Sequence, residues 1–527
     1  MNADQTIARS RLEILQMRFD AVAQGMQETL FRTAVSPVVR EGADASCALF
    51  TAAGELLALS DAIPLLLGAL PGSVKAILAR YPAQDMSEGD MFFMNDPFAG
   101  GTHLPDITVL VPVFFKGERI AFAASILHHQ DVGGMRAGSV PPDATDIYQE
   151  GLRFPPSRLA RDGKILREAE DLIRLNSRAP DTVLGDIAAQ IASAGHAARS
   201  LQTIAGELGT QAFIAATHAC LDHGEEQIGR LFQSLPPGPY QGVDGLDPTH
   251  NLPPIEAHVS VTFQAGHLKA DFAGSSAQVN APINCVRSGP LSALLYAVLS
   301  LAPPTLFRNG GVLRRIELHL PEASVVNAAV PAAVNARMNM VRCITSAVLQ
   351  ALSKAAPDKM PAANSGMSYV LAFSGTRQDG NRFVTTEIIA GGAGGGPFSK
   401  GADAVSTDVG NAMNMPGEAL EEIAPIRLLS ARIREGSGGS GKYPGGNGIR
   451  REYLALTDGV SVSLRGERFA RVPQGLLGGG SPLPSAATIL RADGETIALT
   501  ARSAFTLNSG DRLIVESCGG AGYGTAN

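Results

Sequence analysis

The chain has few cysteines, and none lie in a pair. Cys47, Cys220, Cys285, Cys343 and Cys518 are scattered, odd in number and never in a C-x-x-C arrangement. Neither a disulfide framework nor a thiolate zinc site is therefore expected, and the five read as buried thiols of a reducing compartment. Basic blocks are also missing. With a net charge of −7 and no run of Lys or Arg, the chain lacks the phosphate-neutralising footprint of a nucleic-acid binder. No apolar run reaches the ~20 residues of a membrane span, because Gly, Pro or charge interrupts each one. The opening MNADQTIARSRLE has no apolar signal core, so a cytoplasmic protein is expected. No G-x-S-x-G elbow is present, which leaves a serine hydrolase without support. Internal repeats and long low-complexity tracts are absent too.

What is present is a chain of 527 residues, 45% hydrophobic, 18% charged and rich in glycine at 58 residues. Leu12, Leu15, Phe19, Val22, Met26 and Leu30 recur every three or four positions and predict an amphipathic N-terminal helix. From Ser46 to Asp131 short apolar runs alternate with Gly/Asp turns, predicting strands with few helices between them. VLVPVFFKGERIAFAASIL reads as a hairpin turning at Lys116 and Gly117. Between Pro180 and Ser234 the apolar period becomes helical, and the Pro/Gly break SLPPGPYQG at 234–242 follows. A second hairpin is expected around Ala265 and Gly266, with helices near SALLYAVLSL and MVRCITSAVLQALSK. From about Arg427 the pattern is short strands and glycine turns.

These readings predict an α+β protein of mixed strands with a central helical segment and a β-rich end. They divide it into a strand-and-helix part at 1–235, a mixed part at 236–426 and a Gly-rich β part at 427–527.

Two stretches carry chemistry. NDPFAGGTHLPD (95–106) sets His103 and Asp106 three residues apart across Pro105. Proline disfavours helix at the residue before it, so a turn that can aim both side chains inward is expected. HHQDVGG (128–134) ends an apolar strand. Imidazole and carboxylate together suit Zn²⁺, Mn²⁺ or Fe²⁺, and two neighbouring strand ends are a common way to assemble such a site. Adjacent strand residues point to opposite faces, so spacing leaves open whether His128 or His129 takes part. EGADASC (41–47) offers Glu41 and Asp44, which read as turn residues unless they approach the histidines. The other histidines, His196, His218, His223, His250, His258, His267 and His319, read as core or surface residues. GSGGSGKY (436–443) nearly matches a phosphate-binding loop, but Tyr443 stands where a hydroxyl ligand for magnesium is needed and PGGNG follows where a helix must begin. It reads as a close-packed glycine turn, as do GGAGGG (391–396) and CGGAGYG (518–524). No nucleotide site is expected.

REGADASCALF, GDMFFMNDPFAGGTHLPDI, HHQDVGG, YQEGLRFPP, DFAGSSAQVNAPIN, PAAVNAR, SGGSGKYPGGNG and the terminal GGAGYG together resemble the hydantoinase B/oxoprolinase family over nearly the whole chain. That family comprises β subunits of ATP-dependent hydantoinases and lactamases such as caprolactamase, with relatives in 5-oxoprolinase and the acetone and acetophenone carboxylases. The resemblance implies a large multi-domain hydantoinase B-like fold and one divalent metal (Zn, Mn or Fe) held by Asp44, His103, Asp106 and His128. Asp96, His129, Asp131 and Glu41 become candidates to orient those ligands or touch substrate. It further implies a cytoplasmic α2β2 assembly with a hydantoinase A-type α subunit that uses ATP to activate a small cyclic amide. The β subunit then completes ring opening of a hydantoin, 5-oxoproline or lactam. Three alternatives stand beside it: a subunit of an ATP-dependent ketone carboxylase, a non-catalytic scaffold, or a stand-alone metalloamidase that turns over without ATP or a partner. The pattern departs in two places. Leu66 replaces the histidine of P-x-H-L-G, and Pro444 interrupts K-[FY]-R-G-G.

Overall fold

The computed structural model describes residues 9–526 apart from 250, 251, 378 and 412; His250 lies outside the described residues. Two compact units form, one from 1–239 with 260–341 and the other from 240–259 with 342–527. They follow a different division from the three consecutive segments expected at 1–235, 236–426 and 427–527. The chain leaves the first unit at 239, within the Pro/Gly break, returns at 260, and leaves again at 341. Composition along a chain reports local propensity and carries no signal for a return of this kind.

The first unit is built on a seven-stranded antiparallel sheet: β1 (Ala45–Thr51), β2 (Leu56–Leu59), β3 (Met91–Met94), β4 (Asp106–Phe115), β5 (Glu118–His128), β6 (Ser157–Arg161) and β7 (Lys164–Ile165). Their spatial order is β2-β1-β5-β4-β3-β6-β7. The β4–β5 hairpin turns where expected, with Lys116 at φ 51° and Gly117 at φ 79°. Positive φ at both central residues defines the turn type whose twist matches that of the flanking strands.

The central strands are buried on both faces. Cys47, Leu49, Ala121, Ala123 and Leu127 pack into one apolar cluster with the N-terminal helix Arg9–Thr33 and the long helices Pro180–Leu208 and Thr210–Gln233. Ala48, Phe50, Phe122, Ala124 and Ile126 pack into the other, beneath the helix Ala69–Arg80. The N-terminal helix buries the expected stripe of Leu12, Leu15, Phe19, Val22, Met26 and Leu30. Each such side chain contributes about 1.5–3 kcal/mol by leaving water. Helices Ala69–Arg80 and Arg167–Asn176 escape the sequence reading because both are short, and Pro71 and Gly72 obscure the first.

In the second unit, two antiparallel sheets enclose a separate core. One runs in the order Arg382–Ile389, Tyr369–Thr376, Val460–Arg465, Arg502–Leu507; the other runs Ile426–Arg434, Gly448–Ala455, Arg512–Glu516, Ala486–Leu490, Thr496–Ala498. Tyr369, Phe373, Tyr453 and Leu513 are among the residues that fill the space between them. Beside this core the glycine-rich segments lie backbone against backbone. Gly446 N–H donates to Ala393 O at 2.8 Å, Gly520 N–H to Gly446 O at 2.9 Å, and Gly439 N–H to Gly520 O at 2.8 Å. A Cβ on Gly446 would run into the Ala402 carbonyl, and one on Gly520 into that of Ala393. Glycine is required here by close approach. Lys442 and Tyr443 N–H groups are likewise taken by Gly524 and Tyr523 carbonyls, and donors engaged in this way cannot cradle a phosphate. Pro444 is exposed in this assembly, its carbonyl accepting from Gly401 N–H at 2.9 Å.

Candidate metal centre

Strand parity assembles the site. Along β5, Phe122, Ala124 and Ile126 face the cluster under Ala69–Arg80, so His128 shares that face while Leu127 and His129 turn to the helical side. Asp106 opens β4 directly opposite His128. On the other side of β5, Ala45 pairs with Leu127 and His128 N–H donates to Asp44 O at 3.1 Å. Asp44, His128 and Asp106 thus form a row across three strand ends. His103 joins from the preceding turn, closed by Asp106 N–H donating to His103 O at 3.1 Å.

Three ligand atoms converge. His103 Nε2 lies 3.0 Å from Asp106 Oδ1 and 3.1 Å from His128 Nδ1, and His128 Nδ1 lies 3.3 Å from the same Oδ1. His103 and Asp106 are buried, and His128 keeps 17% of its side chain exposed, which makes it the solvent-facing member. His103 Nδ1 meets the Asn335 carbonyl at 3.2 Å. A carbonyl only accepts, so a hydrogen on Nδ1 satisfies it and leaves the Nε2 lone pair for the centre. Asp106 divides its oxygens: Oδ1 faces the imidazoles, while Oδ2 accepts from Arg337 Nη2 at 2.7 Å and from the Thr102 hydroxyl. Among the described residues, His103, Asp106 and His128 form the group whose donor atoms lie close enough to hold one metal ion. Asp44 stands beside it, outside the tight trio.

The electrostatics follow from burial and neighbours. Burial, with Arg337 nearby, pushes His103 down to about 3, which keeps the imidazole neutral. Burial pushes Asp106 up, but His103 and Arg337 outweigh it and hold the carboxyl well below its ordinary range. Burial raises Asp44, with His128 opposing.

The remaining candidates lie elsewhere. His129 is fully buried on the opposite face, its Nε2 3.3 Å from Gln190 Oε1, and burial pushes it down to about 4. Asp131 is engaged by its own loop and by Arg178, accepting from the N–H groups of Gly133, Gly138 and Arg178 and from the Arg178 guanidinium. Asp96 caps the turn Pro97–Ala99 through Phe98 N–H. Glu41 is exposed at the end of the short helix Pro37–Arg40. Leu66 is buried among Ala69, Leu70, Phe92 and Ile126, so this departure from the family pattern fills core and does not subtract a group from the trio.

Arg337, Asn335, Thr102 and Glu150 escaped the sequence reading as site residues. Arg337 reaches Asp106 across 231 positions, and spacing alone carries no signal over that distance. PAAVNAR and YQEGLRFPP, the motifs that contain three of them, were the available pointers.

The sequence profile of the hydantoinase B/oxoprolinase family matches residues 9–526. The chain belongs to this family. It is 31% identical to the B-type subunit of a putative D-/L-hydantoinase from a Pseudomonas species, over 87% of this chain and 80% of that one. It is 28% identical to the 5-oxoprolinase of Dictyostelium discoideum, covering 97% of this chain but only 40% of that protein. Among solved structures, the ATP-dependent caprolactamase of Pseudomonas jessenii superposes with a TM-score of 0.90 at 26% identity, over 99% of this chain and 92% of that one. A nucleotide-free acetone carboxylase shares the fold, with a TM-score of 0.88 at 20% identity over 98% and 76%. The hydantoinase B-like α+β fold is thereby established.

Proposed function

We propose that this hydantoinase B-family chain is the metal-holding subunit of an ATP-dependent cyclic-amide hydrolase, opening a hydantoin, 5-oxoproline or lactam ring. The observation that carries the reading is the convergence of His103 Nε2, Asp106 Oδ1 and His128 Nδ1 within 3.0–3.3 Å of one another. Two imidazole nitrogens and a carboxylate oxygen, one of the imidazoles held with its lone pair inward, are a donor set for Zn²⁺, Mn²⁺ or Fe²⁺. Asp44, beside His128, is the fourth ligand of the proposal. A divalent metal bound there would supply Lewis acidity to a carbonyl and ease the ionisation of water.

The chain's own groups prepare that centre. Arg337 and Thr102 hold one Asp106 oxygen and leave the other to the ligand set, Asn335 orients His103, and the partly exposed His128 marks the side open to substrate. An unstrained cyclic amide is resonance-stabilised with a poor leaving group, so ring opening needs activation. We assign that step to a hydantoinase A-type α subunit that uses ATP, in an α2β2 assembly with this chain in the cytoplasm. The naming of the Pseudomonas relative as one subunit of its hydantoinase and the 40% share of the longer 5-oxoprolinase that this chain spans support a division of labour. Coverage of 92% of the caprolactamase chain against 76% of the carboxylase chain favours cyclic amides over ketones.

The test is to copurify the chain with its α subunit and assay ring opening of hydantoin, 5-oxoproline and caprolactam with and without ATP. His103→Ala serves as the inactive control, and bicarbonate-dependent ketone carboxylation is measured in parallel. ATP-dependent ring opening lost in His103→Ala supports the reading. Carboxylation without ring opening replaces it with the carboxylase function, and neither activity, with no metal in the chain, replaces it with the scaffold.

A further inference from the structure

Glu150 is fully buried in the first unit, where an ionisable carboxylate is costly unless it meets donors. Its donors are backbone. Oε1 accepts from Val334 N–H and Asn335 N–H, both at 2.9 Å, and Oε2 accepts from Val334 N–H at 3.1 Å. Among the described residues no ion pair to Glu150 is formed. Its carboxylate is committed to two adjacent amides of a segment 184 and 185 positions downstream.

Those amides belong to the residues that orient His103. The Asn335 carbonyl accepts from His103 Nδ1, and the following amide, Ala336 N–H, is tied to Pro282 O at 2.7 Å. Glu150 on one side and Pro282 on the other therefore fix the peptide planes flanking Asn335, and with them the direction in which its carbonyl points. On the far side of the ring Nε2 faces Asp106 Oδ1 at 3.0 Å and His128 Nδ1 at 3.1 Å; a hydrogen kept on Nδ1 by the carbonyl leaves the Nε2 lone pair to accept from His128 or to bind a metal. Arg337, two residues beyond, lies on the same held segment and pins Asp106 Oδ2.

We propose that Glu150 is a positioning residue: by clamping the Val334 and Asn335 amides it aims the Asn335 carbonyl at His103 and keeps that ring in the Nδ1–H tautomer, with Nε2 ready as a metal ligand. The metal role rests on the function proposed above, but the tautomer is observable without any metal. Hydrogen-bonded groups behind a ligand are generally worth 10–100-fold in metal affinity.

The experiment uses the full chain labelled with ¹⁵N-histidine and stripped of metal, with two-bond ¹H–¹⁵N correlation spectra assigning His103 by its loss in His103→Gln. Wild type should show His103 as the Nδ1–H tautomer. Glu150→Ala, which removes the acceptor shared by both amides, should show a shift toward the Nε2–H form and a Co²⁺ dissociation constant raised about 10–100-fold. Glu150→Asp, which draws the carboxyl back from both amides on a shorter arm, provides the same comparison if the Ala variant does not fold. A wild-type His103 in the Nε2–H form overturns the proposal. So does a variant that is merely less stable, with the tautomer and Co²⁺ affinity of wild type. A tautomer shift in a protein that takes up no Co²⁺ sustains the positioning role and removes the metal reading, so the two failures are distinguishable.

Discussion

Replacing Asp106 with Asn is the sharpest probe of the centre, because the structure dictates how the amide must sit. Arg337 Nη2 and the Thr102 hydroxyl both donate to Oδ2, so the amide oxygen of Asp106→Asn takes that position. The NH2 group is then forced into the place of Oδ1, 3.0 Å from His103 Nε2 and 3.3 Å from His128 Nδ1. A metal loses its only anionic donor in the trio and meets N–H groups where lone pairs should converge. Metal content should fall from about one equivalent per chain to near none. A second effect is separable from the first. Arg337 and Asp106 side chains are 7% and 2% exposed, and removing one charge of a buried pair costs roughly 3–5 kcal/mol. The amide oxygen still accepts from Arg337, so about 3 kcal/mol is expected. Elemental analysis of purified wild type and variant reads the first effect. Urea unfolding of the metal-free proteins, followed by circular dichroism, reads the second. A full equivalent of metal in Asp106→Asn would refute the convergence argument, and unchanged metal-free stability would refute the energetic role given to Arg337.

Other expectations follow from the same structure. His128→Ala should lose metal, whereas His129→Ala should retain it and lose about 1–3 kcal/mol by stranding Gln190; the reverse pattern would contradict the parity argument for β5. Burial pushes Glu150 up to about 7 from an ordinary 4.5, so the native chain holds a proton that the unfolded chain releases between those values. That contribution is complete below pH about 4.5 and falls by up to about 3 kcal/mol as pH rises through 7. The stability difference between wild type and Glu150→Gln, measured by urea midpoints, should therefore decline from pH 5 to 7.5, and a difference that rises would reverse the sign of the argument. Gly446→Ala drives a methyl into the Ala402 carbonyl and should cost about 3 kcal/mol or more. Gly206→Ala, in a helix with Phe115 at 3.8 Å, should instead gain up to about 1 kcal/mol. Thermal melts of the two variants distinguish close-packed glycine from helical glycine.

Much of this protein is legible in local pattern. The period of Leu12 to Leu30 specifies the N-terminal helix because burying one stripe of a helix needs an apolar residue every three or four positions. Lys116–Gly117 and Ala265–Gly266 specify hairpin turns because both adopt positive φ, which few residue pairs do at low cost. THLPD declares its turn through proline, and clustered glycines declare backbone contact. Each is a preference of a few neighbouring residues, and neighbouring residues are what a sequence displays directly.

Tertiary structure decided the rest. Whether His128 or His129 faces the centre depends on which face of β5 packs beneath Ala69–Arg80 and which beneath Pro180–Leu208. Both faces of that strand are apolar, so the pattern along it is silent. Asp44 gains its place only because β1 pairs with β5 in a register that sets it beside His128, and Asp131 is turned to its own loop and Arg178, whose donors engage both of its oxygens. Leu66 reads as a missing functional group until the fold buries it in core. Arg337, Asn335 and Glu150 enter through contacts spanning 184 to 232 positions. The closure of such long loops is governed by the whole packed unit, and no local preference records it.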